Sequence, residues 1–185
     1  MPRAALPVAV LAVLAFPNVP AAGPGPQPPA AASPRAGAPW VEFSSAEAGL
    51  AVRLPARPEE SATRVGPMEM RIFTVSEGQG GPVYMIIAMD LGAVPEGQVG
   101  DPGADIAGMG PQLAEKFGGK LVRDAPAQVA GGVGRDFVVD TAQGAQVAIR
   151  VVYGKKRMIQ LIVLGQGAAA AAEASGFFAS LRLLP

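Results

Sequence analysis

Four carboxylates, Asp90, Glu96, Asp101 and Asp105, fall within one glycine-rich stretch, and oxygen ligands crowded into a loop are what a calcium site needs. Their spacing is not that of an EF-hand, and Asp105 stands where a helix start would use it as a cap. A second acidic pair, Asp136 and Asp140, shares one face of an expected strand. Four residues of strand hold that pair about 13 Å apart. Glycoside hydrolysis needs roughly 5 to 9.5 Å, so the pair reads as a solvated face. Met68, Met70, Met85 and Met89 sit on two consecutive expected strands. Thioethers are soft ligands for Cu(I), but apolar neighbours flank all four, and methionine fills strand cores readily. The tract Lys155-Lys156-Arg157 is the only basic cluster, and it falls at an expected hairpin turn. Charge there discourages edge pairing, and an anion or a protein partner would find a contact. Gly108-Met109-Gly110 and Gly131-Gly132-Val133-Gly134 lack the strand–loop–helix grammar and the lysine of a phosphate-binding loop. No serine is followed by lysine three residues on, so a Ser–Lys hydrolase has no support.

The 185 residues include no histidine and no cysteine. A Ser-His-Asp triad, a Cys-His nucleophile pair and an ordinary zinc site are thereby removed, and so are disulfides. Eleven Arg against four Lys, with Asn18 the lone asparagine, mark a compositional bias that can itself thin out some residue types. No catalytic residue and no cofactor is assigned. Residues 40–185 carry 13 Lys+Arg (15 less Arg3 and Arg35) against 15 Asp+Glu, a balance of about −2. With no basic excess, nucleic acid is not an expected partner.

The elements that must position these side chains are legible from alternation and punctuation. Trp40–Phe43 and Leu50–Leu54 alternate, and Pro55 with Pro58 gives an extended exit. Met68–Val75 alternates as a strand with one solvated face, whereas Val83–Met89 is apolar at both parities, as in a strand covered on both sides. Residues 90–110 read as a long loop. A helix with Pro111 at its first position follows, or else a longer helix from about Asp105 kinked at Pro111. Gly118-Gly119 ends it either way. Leu121–Val129, Arg135–Thr141, Gln146–Tyr153 and Met158–Leu164 are then four strands joined by turns too short for anything but antiparallel neighbours. Met158–Leu164 is the expected central strand. Ala168–Ser180 is an Ala-rich helix with Phe177 and Leu181 on one stripe and Ala174 and Phe178 on the next. The fold class is α+β: an antiparallel sheet with helices packed on it.

Before all this stands Arg3, then a 13-residue apolar run from Ala4 to Phe16, then Val19-Pro20-Ala21. That is the layout of a secretory signal peptide, residues 1–21, with cleavage after Ala21. A kept anchor is the alternative, but a span needs about 20 apolar residues. Lipidation is excluded for want of a cysteine. Residues 22–39 are almost wholly Ala, Pro and Gly and read as a disordered linker, leaving residues 40–185 as one domain.

The order of landmarks resembles that of small exported bacterial domains of the PsbP-like α/β/α sandwich, a family of unknown function. The landmarks are the aromatic opener, Val52-Arg-Leu-Pro55 with Pro58, Gly118-Gly-Lys-Leu121, Gly134-Arg-Asp-Phe-Val-Val139 and Phe177-Phe-Ala-Ser-Leu-Arg-Leu183. That fold is shared with the extrinsic PsbP protein of photosystem II and with a Ran-binding nuclear import factor. The resemblance implies docking on a protein partner and no catalysis. It transfers no site residue, because none of the binding residues of those proteins matches a position here. The resulting expectation is an exported, non-catalytic binding or accessory domain at the cell envelope, periplasmic, surface-held or secreted, with no membrane span once the leader is cut. Two alternatives stand beside it: a carboxylate-dependent enzyme using the 90–110 loop, and a small-ligand carrier using a groove between sheet and helix.

Overall fold

The computed structural model describes residues 40–78, 80–95, 100–167 and 169–185. The expected leader 1–21, the linker 22–39 and Glu96 lie outside the described residues.

Strand β1 (Val41–Ser45) turns back into β2 (Leu50–Leu54), and β2 also pairs with the short β10 (Arg182–Leu183), giving a three-stranded sheet. The other seven strands form one antiparallel sheet. They are β3 (Glu59–Val65), β4 (Met68–Ser76), β5 (Val83–Asp90), β6 (Gly119–Val129), β7 (Gly132–Thr141), β8 (Ala145–Gly154) and β9 (Arg157–Gln166). Their order is β3-β4-β5-β9-β8-β7-β6, so β9 is central, as its apolar run at both parities predicts. Helices α1 (Pro102–Ala107) and α2 (Met109–Lys116) pack against β6 and β7, and α3 (Ala169–Ala179) lies against β8 and β9. The molecule is α+β, a sheet with helices on it.

The period of two sorts the sheet's side chains between two cores. Phe73, Tyr84, Ile86, Ile159, Leu161 and Val163 face α3 and the small sheet. Ile87, Met89, Phe137, Val147, Ile149 and Ile162 face the opposite way, where Ile106 and Leu113 of α1 and α2 join them. Burying each such side chain stabilises by about 1.5 to 3 kcal/mol, so β9 keeps its place only while both faces are covered. Helix α3 presents Ala170, Ala174 and Phe177, a helical stripe. The small alanines let it approach Gly165, whose built Cβ would stand 3.4 Å from that of Ala170. Phe177 then meets Tyr84 edge-on at 5.6 Å, and Trp40 meets Tyr84 at 5.3 Å, which pins the start of the described chain to the helix.

Three expectations need correction. Residues 59–65 are a strand, where only an extended exit was expected after Pro55 and Pro58. Nearly every side chain of β3 is exposed, so no alternation marks it, and it forms through its pairing with β4. The stretch 90–110 is not one loop. Asp101 caps α1 with its side chain accepting from the Gly103 N–H at 3.0 Å, and Pro102 takes the first helical position. The helix is broken at Gly108 and continues as α2. Pro111 sits in the first turn of α2, where its missing N–H has no intrahelical acceptor to lose, so it neither starts nor kinks the helix. Finally, Asp136 is not solvated. It accepts two hydrogen bonds from Arg150, at 2.7 and 2.8 Å, with both side chains 15% exposed. Arg150 also donates to the Phe178 carbonyl and stacks 5.1 Å from that ring, so the pair locks the end of α3 onto the sheet.

Candidate functional site

The hairpin between β8 and β9 is closed by a two-residue turn, with Gly154 opposite Arg157 and only Lys155 and Lys156 between them. Both lysines have positive φ, 52° and 58°, as a two-residue turn that follows the sheet's twist requires. Asn-Gly would adopt that conformation more cheaply, since a residue with a Cβ in the left-handed region costs about 1 to 2 kcal/mol. The turn therefore keeps two exposed cations at some expense in stability.

Arg157, the first residue of β9, pairs in register with Asp90, the last of β5. The Leu91 N–H donates to the Lys156 carbonyl at 2.9 Å and extends the ladder past the strand ends. The Arg157 guanidinium lies over Gly49 in the turn joining β1 and β2. A Cβ at Gly49 would stand 2.2 Å from Arg157 Nη1, and φ is +68° there, so only glycine leaves the guanidinium its place. Arg157 Nε is buried and has no hydrogen-bond partner among the described residues.

Arg157 lines a cavity of about 240 Å³ between the β1–β2 turn and the ends of β4, β5 and β9. Glu47 and Ala48 come from the turn, Glu69 and Arg71 from β4, and Asp90 from β5, while Ala88 and Met89 line it along β5. Arg71 is fully engaged: it pairs with Glu47 at 2.5 Å and with Glu60 and Glu69 at 2.8 Å each. The hydrogen bond to Glu60, with Glu47 and Glu69 adding to it, holds its guanidinium above the ordinary value despite partial desolvation. Among the described residues Arg157 has no such set of carboxylates. The site offers one saturated guanidinium, one with an idle donor, and three carboxylates. Binding of a polar ligand follows from that arrangement more directly than bond cleavage does.

The structure brings together two residues that the sequence singled out separately, Asp90 and Arg157. The remaining calcium candidates stand elsewhere. Asp90 Oδ1 accepts from the Gly92 N–H at 2.7 Å, Asp101 caps α1, and Asp105 stands in the first turn of α1, where the helix dipole favours it. Among the described residues no group of three or more acidic side chains is close enough to hold a metal ion. Asp140 accepts from Gln146 Nε2 at 2.8 Å and has no part in the cavity. Met68, Met70, Met85 and Met89 lie together in the second core, joined there by Met109 and Met158. Glu47, Glu69 and Arg71 were not visible as site residues, since the β1–β2 turn and β4 belong to different sheets and meet only when those sheets pack. A second, shallower groove of about 420 Å³ runs between Arg53 of β2 and Gly176, Ala179 and Ser180 at the end of α3, with Trp40 beside it.

No family model matches the chain, and no curated protein matches it in sequence. Among solved structures, it is similar to the cyanobacterial PsbP protein (CyanoP) of Synechocystis, with a TM-score of 0.54 at 9% identity. That match covers 86% of this chain and 99% of the other. A protein of unknown function from Pseudomonas aeruginosa gives a TM-score of 0.43 at 15% identity, covering 74% of this chain and 89% of that one. The chain has the PsbP-like fold. No described helix is long and apolar enough to cross a membrane.

Proposed function

We propose that this protein is an exported, non-catalytic accessory domain of the cell envelope that works by docking a protein partner. Residues 1–21 would direct export, residues 22–39 would act as a spacer, and residues 40–185 would make the contact. The observation that supports docking is the charged cavity lined by Glu47, Glu69, Arg71, Asp90 and Arg157. The absence of histidine and cysteine from the whole sequence points the same way.

The test is photo-crosslinking from position 155, at the exposed turn, in the chain expressed with its own leader. A discrete adduct is expected outside the cytoplasm, on a protein whose N-terminus is Ala22 by mass spectrometry. That adduct should be lost in Arg157→Gln while the urea midpoint of the variant is unchanged. Intact residues 1–21 on a cytoplasmic protein would remove export. Reproducible turnover abolished by Asp101→Ala or Asp105→Ala would replace docking with the carboxylate enzyme. The groove beside Trp40 keeps the carrier reading in play, and saturable uptake of a lipophilic probe, blocked by Gly176→Trp, would favour it.

A further inference from the structure

The two edges of the seven-stranded sheet are guarded unequally. At one end β6 carries Lys120, Pro126 and a shift of register between Leu121 and Arg123, devices that turn another strand away. At the other end β3 has no proline, no lysine and an unbroken register against β4. All its side chains but that of Val65 are exposed. The hairpin fixes which backbone groups are left over. Its turn is Gly66-Pro67, with Val65 opposite Met68. A two-residue turn closes on a hydrogen-bonded pair, and the ladder alternates from there. Glu59, Ser61, Thr63 and Val65 therefore direct their N–H and C=O groups to β4. Those of Glu60, Ala62 and Arg64 point away from the sheet, and no described residue bonds them.

The same strand is complementary to itself. In an antiparallel pair of β3 strands with Ala62 opposite Ala62, Glu60 of each copy stands opposite Arg64 of the other. Opposite charges so placed stabilise a strand pair. Among the described residues Arg64 makes no ion pair, and Glu60 engages Arg71 through Oε1, which leaves Oε2 to accept. Ser61 stands opposite Thr63 on the other face. A slip of two residues in either direction loses both charge pairs. We propose that β3 is where the protein self-associates: two copies pair their β3 strands antiparallel about a two-fold axis at Ala62 and join their large sheets into one. Both copies use the same residues, so the assembly closes at two. Self-association goes beyond the docking of a partner and does not depend on it. Strand edges of this length bury little surface, so the dimer is weak and concentration-dependent.

The experiment is sedimentation velocity over a range of concentrations, on protein recovered from expression of the full chain. A monomer–dimer equilibrium is expected. Ala62→Pro should abolish the dimer with the urea midpoint unchanged, because the N–H it removes points away from β4. Glu60→Arg and Arg64→Glu should each be monomeric alone, since like charges then face each other. Mixed together they should form a dimer, because each supplies the charge the other lacks. If any of these variants fails to fold, cysteines at exposed positions decide. The chain has no cysteine of its own, so any disulfide reports the pairing. The Cα atoms of Ser61 and Thr63 in opposite copies would stand about 4.5 Å apart, within disulfide reach. Ser61→Cys mixed with Thr63→Cys should therefore crosslink well beyond either variant alone. A monomer at every concentration, a dimer that survives Ala62→Pro, or charge variants that stay monomeric when mixed overturns the proposal. So does a disulfide that forms as readily in either single variant as in the mixture.

Discussion

At the scale of the residue, the fold places ionisable groups where their charge has consequences. Tyr84 is almost wholly buried, and its hydroxyl donates to Glu173 Oε2 at 3.3 Å. Burial, then the neighbouring carboxylates Glu173 and Glu77, hold the phenol well above its ordinary value. The same neighbourhood raises Glu77, through burial first and Glu173 second. A carboxyl raised in the folded state contributes stability that is full below its ordinary value of 4.5 and is lost as pH rises through the raised one. Urea midpoints taken between about pH 4 and pH 7 should therefore favour Glu77→Gln over the parent increasingly as pH rises. Parallel curves would mean that the carboxyl pays no such penalty. The signal for this cluster was absent from the sequence, because Glu77, Tyr84 and Glu173 become neighbours only when α3 crosses the sheet. The same holds for Asp136, whose partner Arg150 lies on the next strand and whose cover, Phe178, comes from the helix.

At the scale of the element, α3 and the β8–β9 hairpin are the sensitive parts. Phe177 is wholly buried against Tyr84 and the small sheet, so Phe177→Ala should cost about 3 to 5 kcal/mol. Lys155→Gly should instead be neutral or stabilise by up to about 1 kcal/mol, since glycine relieves the left-handed strain but loosens the unfolded chain. Urea titration of both variants checks the pair, and equal midpoints for Phe177→Ala and the parent would mean that α3 does not dock as described. These elements were readable because their apolar periods are strong: β4, β5, β8 and β9 alternate or run apolar throughout, and α3 repeats its small and aromatic residues at helical spacing. Strand β3 was not readable, because a polar edge strand owes its conformation to its neighbour. Pro111 misled because proline is tolerated anywhere in a helix's first turn, while Asp101-Pro102 carried the true start signal nearer the N-terminus, before α1. The pocket was half legible. Its Arg157 stood out as part of a basic tract and its Asp90 as part of an acidic loop, but nothing in their spacing joined them across two strands.

At the scale of the whole molecule, the two sheets are unequal partners. The seven-stranded sheet is held by long ladders and two cores, whereas the small sheet rests on one five-residue hairpin and two pairs from β10. Amide hydrogen exchange should therefore find the slowest protons in β5, β8 and β9, and residues 41–54 and 182–184 should open well before them. Uniform protection across both sheets would show that the small sheet is as firmly held as the large one. The ion pair between Arg182 and Glu42 and the hydrogen bond from the Arg53 N–H to Ser180 Oγ join positions 140 and 127 residues apart in sequence.

Those long-range ties set a schedule. Gly49, the floor under the Arg157 guanidinium, is fixed from outside its own hairpin by the Leu184 N–H, which donates to its carbonyl at 2.9 Å. Contacts of that separation wait until loop closure has been offset by the rest of the sheet, so they are among the last made in folding and the first broken in partial opening. The cavity is thus a clock as well as a place: while the small sheet is open the guanidinium has no floor, and a partly folded chain presents no finished cavity.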